Sequence, residues 1–280
     1  MKMNLFIFGM GYTAQVLAAQ LRAKGWRVHG TGRAGDVPFD DPGAVAAAVA
    51  AASHVLSSVP PARAGGDPVL ESYAGLLRSR APKWLGYLSA TGVYGDTGGA
   101  WVDESAPVGA GRRTARADAD LAWQAIGAHI LRLPGIYGPG RSALDRVRTG
   151  VANRIDLPEQ VFSRVHVDDI AAGVIAAFDG PTGVYNVADD LPCSQNMVIE
   201  EAARLLGQAP PPLKSLAEAQ LSPMALGFYA ENRRIANGKA KRVLGWRPRY
   251  PTYREGLRAL NATSNPANAS ADPASAKNDQ

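Results

Sequence analysis

Short apolar bursts alternate along the chain with alanine-rich stretches in which apolar residues recur at helical spacing. Strand-like and helix-like segments follow each other in the order NLFIFG, TAQVLAAQLRAKG, WRVHGTGR, DPGAVAAAVAAA, SHVLSSVPP, PVLESYAGLLRSR, KWLGYLSA, ADADLAWQAIG and AHILRLPGIYG. Strands separated by helices of this length are typical of a parallel sheet covered on both faces. The pattern therefore predicts an α/β fold built on a doubly wound parallel sheet, with ligands at the carboxyl edge of that sheet.

Beyond Gly140 the alternation loosens into turns. We predict further strands in VFSRVHV and GVYNVAD, and helices in MVIEEAARLLG and near TYREGLRAL. These segments predict one domain over residues 1–260, in which residues 139–260 mainly form a small interleaved C-terminal region. Residues 261–280 contain almost no large apolar side chain, which predicts a disordered tail.

Composition and charge narrow the classes of function. Of the 280 residues, 46% are hydrophobic, which is enough for a sizeable core and excludes global disorder. The net charge of +5 is spread over the chain and not concentrated in runs. It therefore suits an anionic ligand, and nucleic-acid binding is the less favoured alternative.

Cys193 is the only cysteine, which excludes an internal disulfide and fits a reducing compartment. No His or Cys stands beside it, so we predict no metal site. The N-terminal apolar run is interrupted by glycines, and no segment approaches the roughly 18 apolar residues of a membrane span. We predict a cytoplasmic protein with a small-molecule substrate and no nucleic-acid or membrane partner, and a homodimer is left open.

The segment FIFGMGYTAQVL carries glycines between a strand and a helix. Gly9 permits a tight turn, Gly11 leaves room for a pyrophosphate, and Ala14 stands where the third glycine of G-x-G-x-x-G/A can be alanine. The unpaired amides of the following helix would face that anion. The segment predicts a dinucleotide site, although a glycine-rich turn that only packs the helix on the strand is the alternative. The predicted cofactor-binding residues are Gly9, Met10, Gly11, Tyr12, Thr13, Arg33, Ser58, Pro60 and Ser89.

The end of the second strand bears on the choice of cofactor. VHGTGRAGD has no Asp or Glu where a ribose 2′-hydroxyl would be held, and Arg33 stands there with donors suited to a 2′-phosphate. This favours NADP over NAD. In the alternative, Arg33 is a solvated loop residue and Asp36 or Asp40 binds the ribose.

Several further stretches resemble the extended short-chain dehydrogenase/reductases, the epimerase and dehydratase class. They are LSATGVYGD (88–96), LRLPGIYGPGR (131–141), FSRVHVDDIAAGV (162–174) and GVYNVADDLP (183–192). LSPM, FYAENRRIAN and YPTYREGL resemble an atypical YeeZ-like subgroup of that family. The resemblance covers roughly residues 1–260 and implies a Rossmann domain carrying NAD(P), with a small substrate-capping region in the C-terminal part.

In LSATGVYGD, Thr91 and Tyr94 would present hydroxyls toward a nicotinamide at the carboxyl edge of the sheet. Alternatively, Ser89 and Thr91 cap the loop and Tyr94 packs its ring. The predicted substrate-binding residues are Tyr137, Arg141, Arg164 and His166. The alternatives are a turn with an exposed arginine at Arg141, and a structural histidine at position 166 followed by an aspartate that caps a helix.

The resemblance also implies acid/base groups that this chain does not have. The Ser or Thr that lies three residues before the Val of V-Y-G falls on Ala90, and the Tyr and Lys of Tyr-x-x-x-Lys fall on Arg112 and Arg116. An arginine keeps its proton in proteins, so Arg112 is no general base, whereas Arg116 can imitate the charge of the lysine. Thr91, Tyr94 and Arg116 are therefore the predicted catalytic residues.

The segment GRRTARADAD admits two interpretations. Arg112 and Arg116 share a helix face and repel each other weakly unless an anion bridges them, which favours an anion site. In the alternative, the helix is solvated and Arg116 forms a surface pair with Asp120.

Two hypotheses of function remain from the sequence. The first is an NADP-dependent oxidoreductase or epimerase-like enzyme that acts on a small polar or anionic substrate without the Tyr-x-x-x-Lys pair. The second is a noncatalytic NADP-binding sensor or regulatory protein.

Overall fold

The computed structural model describes residues 3–111 and 114–264. The strands are β1 (Asn4–Phe8), β2 (Arg27–Gly30), β3 (His54–Ser57), β4 (Trp84–Ala90), β5 (Trp101–Val102), β6 (His129–Leu133), β7 (Gly135–Tyr137), β8 (Arg154–Ile155), β9 (Arg164–His166), β10 (Val184–Asn186), β11 (Leu213–Lys214) and β12 (Arg234–Ile235). The helices are α1 (Tyr12–Ala23), α2 (Pro42–Ala51), α3 (Pro68–Arg80), α4 (Thr114–Ala125), α5 (Ala143–Arg148), α6 (Val167–Ala177), α7 (Gln195–Leu205), α8 (Pro223–Tyr229), α9 (Gly238–Val243) and α10 (Tyr253–Ser264). A single 3-10 turn, Thr91–Tyr94, follows β4.

Six parallel strands form the main sheet, in the order β2-β1-β3-β4-β6-β10. The chain runs outward from β1 to β2 and then crosses back to β3 on the other side of β1. The strand order therefore reverses at β1, and the crevice at the carboxyl ends of β1 and β3 is where open α/β sheets bind ligands.

Helices cover both faces of this sheet because the side chains of each central strand alternate between them. Leu5 and Ile7 of β1 pack with α1 and α6, whereas Phe6 and Phe8 pack with α2, α3 and α4. The predicted doubly wound Rossmann-type α/β fold is confirmed.

The C-terminal part adds a separate apolar cluster beside the sheet, which α5, α7 and α10 form with residues such as Leu144, Ile199 and Leu257. Three short parallel pairs form separate two-stranded sheets: β7 with β9, β5 with β12 and β8 with β11. These short pairs and helices α8 and α9 were not expected from the sequence.

The predicted start of the tail at residue 261 lies inside helix α10. Helix α10 continues through Ser264, and the Asn261 amide accepts from Arg148 at 3.2 Å and donates to the Leu205 carbonyl at 3.3 Å. These bonds hold Asn261 against α5 and α7, whereas residues 265–280 lie outside the described residues. Within residues 3–111 and 114–264, no helix has both the length and the apolar character to cross a membrane.

Candidate functional site

The glycine loop lies at the strand reversal and is held from two neighbouring strands. Gly9 adopts φ +86°, a backbone conformation that favours glycine, and a Cβ there would lie 2.9 Å from the Val59 side chain. The Gly9 amide donates to the Thr31 hydroxyl at 3.0 Å, and the Ser58 hydroxyl donates to the Gly9 carbonyl at 2.6 Å. The turn is therefore fixed before any ligand is bound.

Gly11 leaves the first turn of α1 accessible. It is the residue before the helix, and no side chain accepts a hydrogen bond from the helix amides at that position. A Cβ on Gly11 would meet no described atom within 4 Å. Open space in front of unpaired amides is the feature that binds a pyrophosphate, so this loop fits a dinucleotide.

The other predicted loop residues have different surroundings. Met10 is buried in the core and donates its amide to the Thr31 carbonyl at 2.7 Å, so only its backbone lines the loop. Thr13 is half-buried in the first turn of α1, and Pro60 is exposed after β3. Ser58 reaches the loop through its bond to Gly9.

Tyr12 links the glycine loop to the C-terminal part. Its hydroxyl donates to the Pro139 carbonyl at 3.1 Å, and the Arg141 guanidinium lies 5.7 Å from the centre of its ring. Burial raises the pKa of Tyr12, an effect that the Arg141 charge opposes. Arg141 therefore lies between the nucleotide loop and the cavity described below.

The end of β2 separates the two candidates for recognising the ribose. The Asp36 carboxylate accepts from the Gly30 amide at 2.9 Å and lies 2.5 Å from the His29 ring nitrogen. Burial raises the pKa of Asp36, but these two hydrogen bonds outweigh it and lower the pKa overall. Arg33 is exposed beyond the left-handed Gly32, whereas Asp36 is engaged in holding the turn.

Ser89 faces away from the predicted cofactor edge. Its hydroxyl is buried and donates to the Asp120 carboxylate at 2.5 Å, so it supports α4 and is not available to a nicotinamide. The role of Ser89 as a cofactor ligand stays a prediction, and the structure shows its hydroxyl bound to Asp120. Thr91 is buried at the start of the 3-10 turn, where β4 has already ended.

Tyr94 belongs to a buried polar network. Its hydroxyl donates to the Asn186 side chain at 2.7 Å and accepts from Arg132 at 3.0 Å, and Arg132 in turn pairs with Asp120. Burial raises the pKa of Tyr94. The Tyr94 hydroxyl thus already donates one hydrogen bond and accepts another inside the protein. This geometry disfavours the predicted role of Tyr94 as a substitute acid.

The segment GRRTARADAD is only partly described. Arg112, at the position of the missing tyrosine, lies outside the described residues. Asp120 is completely buried, so the alternative of a surface pair between Arg116 and Asp120 is wrong. Arg116 is half-buried on α4, and its charge partly opposes the rise in the pKa of Tyr87 that burial causes.

A cavity of about 420 Å³ opens between β7, α5 and α7. Three arginines, Arg141, Arg146 and Arg164, and a single carboxylate, Asp145, line it. Tyr137 lines it as well, so three of the four predicted substrate residues share this cavity. Its excess of guanidinium groups suits an anionic ligand.

Arg164 is buried, and both of its Nη atoms donate to neutral acceptors of the protein. It donates to the carbonyls of Phe162 and Cys193 at 2.8 and 3.2 Å and to the Gln195 side chain at 3.1 Å. None of these acceptors carries a charge, so Arg164 brings a fixed positive charge to the cavity wall.

His166 does not line that cavity. Its side chain is buried, and its Nδ1 accepts the Asp168 amide at 3.2 Å at the start of α6. Burial lowers the pKa of His166. His166 is thus the cap that the sequence assigned to an aspartate, because Asp169 instead accepts the amides of Arg249 and Tyr250, at 2.5 and 3.2 Å.

Asp189 is a charged residue near the cavity that the sequence analysis missed. Burial raises its pKa to about 7, although the Arg164 charge opposes this shift. The Asp189 amide donates to the Arg164 carbonyl at 2.7 Å. The two aspartates of GVYNVADD are visible in the sequence, but the strand pattern does not indicate which of them is buried.

A second feature that the sequence analysis missed is the pair Glu231 and Arg233. The Arg233 Nη1 donates to the Gly95 carbonyl at 2.5 Å and to the Glu231 carboxylate at 2.9 Å. FYAENRRIAN was singled out only as part of a resemblance, and nothing in its spacing indicates that it returns to the end of β4. Within the described part of the chain, no cluster of three or more His, Cys, Asp or Glu could hold a metal ion.

Comparisons with known proteins identify similar chains. The chain is 42% identical to a conserved protein of unknown function from Silicibacter pomeroyi DSS, with a TM-score of 0.82 over 94% of this chain and 99% of that chain. It is 26% identical to protein YeeZ of Escherichia coli K12, over 88% of this chain and 95% of YeeZ. The chain therefore resembles YeeZ over most of its length, and it has the fold of the epimerase/dehydratase-like proteins. No family profile matches it.

Two further similar proteins have different names. A 3-diazoavenalumate denitrifying reductase of Streptomyces is 36% identical over 140 residues, which are 46% of this chain. The match spans 45% of that reductase, less than half of its length. Human epimerase family protein SDR39U1, solved with NADPH, has a TM-score of 0.70 at 16% identity over 92% of this chain and 99% of that chain, which supports the fold alone.

Proposed function

We propose that this chain is an NADP-dependent oxidoreductase of the epimerase-like family that acts on a small anionic molecule. The observation that carries the proposal is the open first turn of α1 at Gly11, which Tyr12 and Arg141 connect directly to an arginine-lined cavity. A nucleotide and an anionic substrate would thus bind next to each other at the carboxyl edge of the sheet.

The loop residues support NADP, with NAD as a possible substitute. The amides of the first turn of α1 would hold the pyrophosphate, and Arg33 would donate to a 2′-phosphate. Asp36 is engaged with Gly30 and His29, which leaves Arg33 as the charged group free to reach that phosphate. SDR39U1 is solved with NADPH and a Thermus thermophilus UDP-glucose 4-epimerase with NAD. When bound, the nicotinamide would supply or accept a hydride.

The cavity supports a substrate with negative charge. Arg141 and Arg146 would bind an anionic group by charge-assisted hydrogen bonds, and Arg164 would add a fixed charge behind them. An epimerase of Thermotoga maritima with the same fold is solved with UDP-glucose, which is itself anionic.

The chemistry would proceed without a tyrosine. Ala90 has no hydroxyl, and the hydroxyls of Ser89 and Tyr94 are engaged in the Asp120 network. Thr91 remains the hydroxyl at the end of β4, and Arg116 would stabilise negative charge but would not transfer a proton. The name of the Streptomyces relative, a reductase, favours reduction as the direction.

The same observations favour one alternative. A chain that keeps the glycine loop but commits its tyrosine hydroxyl to a buried network could be a noncatalytic NADP sensor. Turnover separates the two hypotheses: an enzyme oxidises NADPH with some member of a panel of carbonyl compounds and sugar nucleotides, whereas a sensor binds NADPH and changes only its stability or its affinity for a partner.

Gly11→Val tests the nucleotide site directly. Gly11 has φ −81°, which valine adopts, and the space around its Cβ is open, so the variant should fold while its side chain fills the space for the pyrophosphate. We expect NADPH binding, followed by calorimetry, to be lost or weakened at least about 100-fold. Gly75→Ala, which also adds a Cβ in open space, is the control. If Gly11→Val binds NADPH as the wild type does, the proposed function is wrong.

A further inference from the structure

The segment 231–234 is held rigidly against the end of β4. The Asn232 amide donates to Asp96 at 2.8 Å, and its carbonyl accepts the amides of Thr97 and Gly99 at 3.0 and 2.9 Å. Its side chain donates to the Glu159 carbonyl at 2.8 Å and accepts the Val161 amide at 3.2 Å. With a further bond from the Thr97 hydroxyl to the Asn232 carbonyl at 3.1 Å, six hydrogen bonds through one asparagine fix the backbone beside Arg233.

The Arg233 side chain is also held by hydrogen bonds. Its Nη1 is occupied by the Gly95 carbonyl and by Glu231, and the two side chains of this ion pair are only 16% and 9% exposed. Among the described residues, no hydrogen-bond acceptor lies on Nη2. Because the guanidinium is planar, the bonds that hold Nη1 also fix the direction of Nη2.

Nη2 faces the end of β4. A Cβ placed on Gly92 would meet Arg233 Nη2 at 3.9 Å and no other described atom within 4 Å. Among the described residues, the space in front of Gly92 is therefore bordered by the Arg233 guanidinium alone. Thr91, the remaining hydroxyl at the end of β4, directly precedes Gly92.

The neighbouring backbone closes around the same point. A Cβ on Gly111 would lie 2.6 Å from the Gly92 carbonyl, and a Cβ on Gly95 would lie 2.8 Å from the backbone of Ala110. Gly111 begins the segment in which the family has its tyrosine and lysine. Arg233 thus stands where the end of β4 and the start of that segment meet, which is where a substrate must approach the nicotinamide in the proposed function.

We propose that Arg233 is a substrate-positioning residue, whose guanidinium holds a carboxylate of the substrate in the open space before Gly92 while Glu231 fixes its orientation. This inference rests on the proposed function. A planar guanidinium offers paired donors that match a carboxylate. The role explains why an arginine with an ordered carboxylate partner lies at the end of β4 and directs its second nitrogen into open space.

The cavity and Arg233 are connected through α8. Tyr229, two residues before Glu231, packs edge-on against Phe162 with ring centres 5.4 Å apart. Burial raises the pKa of Tyr229, and the charges of Arg146 and Arg164, which line the cavity, oppose that rise.

Malonate, a small dicarboxylate, is the probe for this site. Its binding is measured by calorimetry to the full-length protein with and without saturating NADP⁺, for the wild type, Arg233→Gln and Arg233→Lys. We expect Arg233→Gln to weaken malonate binding about tenfold or more, because a charge-assisted bond is lost. Arg233→Lys keeps the charge without the fork and should recover part of the affinity. NADP⁺ binding should be unchanged in both variants.

Arg234→Gln is the matched control, since Arg234 is the next residue and donates to the Gly99 carbonyl away from Gly92. It should alter malonate binding by no more than about twofold. The proposal is overturned if the wild type does not bind malonate, if Arg233→Gln binds it as tightly as the wild type, or if Arg146→Gln loses binding while Arg233→Gln does not. If the wild type binds malonate through Arg233 but does not bind NADP⁺, the anion site stands and the proposed function falls.

Discussion

The Asp120 carboxylate accepts two hydrogen bonds from the Arg132 guanidinium, at 3.0 and 2.7 Å, and these side chains are 0% and 3% exposed. Ser89 and Gln124 donate to the remaining positions of the carboxylate, at 2.5 and 2.6 Å. The ion pair thus connects α4, β4 and β6 below the candidate reaction centre, with every polar group satisfied. Breaking such a pair leaves a buried charge without its partner.

We expect Asp120→Asn to destabilise the protein by about 3–5 kcal/mol, the usual cost of removing one member of a buried pair. Urea unfolding gives the free energy. Arg204→Gln, which breaks the pair between the exposed Arg204 and Glu201 on α7, should cost less than about 1 kcal/mol. Equal losses in the two variants would contradict the structural role of the buried pair.

Tyr94→Phe distinguishes a structural tyrosine from a catalytic one. The change removes the hydroxyl that donates to Asn186 and accepts from Arg132, so two buried groups lose a partner. We expect a loss of about 1–3 kcal/mol in the free energy of unfolding, with NADPH binding retained. A variant that keeps wild-type stability but loses turnover would return Tyr94 to the catalytic set.

How far the sequence predicts this site depends on the distance along the chain between partners. Gly9, Gly11 and the helix that follows are local in sequence, and their roles follow from the strand, turn and helix pattern alone. Tyr94 and Asn186 are 92 residues apart, and nothing near either residue indicates the other. The sequence therefore predicted the hydroxyl of Tyr94 but not that a buried network would occupy it.

The N-terminal cap of α6 also depends on a partner that is distant in the sequence. An aspartate is the common cap in HVDD, but its choice depends on what else can use the carboxylate. Asp169 accepts two amides from the segment near Trp246, some 80 residues away, and His166 caps α6 in its place. The strands of the main sheet, by contrast, could be predicted from the sequence, because burial on both faces makes each of them a short run of apolar residues.

Asp189 should make the protein less stable as the pH rises. Its pKa is about 7 in the folded state against about 3.9 in an unfolded chain, so the folded state binds more protons between these values. Stability is then fully present below about pH 4 and is lost as the pH approaches 7, by roughly 1.4 kcal/mol per pH unit at most. Asp169, with a pKa of about 6, contributes in the same direction.

Asp189→Asn isolates this contribution. The amide is neutral at every pH, so the variant should gain stability relative to the wild type as the pH rises from about 5 to about 8. Urea unfolding across that range measures the difference. The same substitution at the exposed Asp118 is the control. If the free energy of unfolding changes with pH in the same way for Asp189→Asn and the wild type, ionisation of Asp189 does not destabilise the folded state.

His54 should act in the opposite direction. Its side chain is buried among Trp26, Trp84 and Phe178, and burial lowers its pKa to about 4 against about 6.5 in an unfolded chain. The unfolded state binds more protons between these values, so this contribution to stability is present above about pH 6.5 and is lost as the pH falls toward 4. His54→Phe should remove the loss, and unfolding curves at mildly acid pH measure it.

Arg33→Ala tests the choice of nucleotide. If Arg33 donates to the 2′-phosphate, its loss should weaken NADPH binding about tenfold or more and leave NADH binding nearly unchanged, because only NADPH carries that group. Calorimetric titrations with both nucleotides give the ratio. Arg27→Ala, an exposed arginine at the opposite end of β2, is the control for a general loss of positive charge. Should the ratio of the two affinities stay as in the wild type, Arg33 is a solvated loop residue, and the ribose must be recognised by another group such as Asp40.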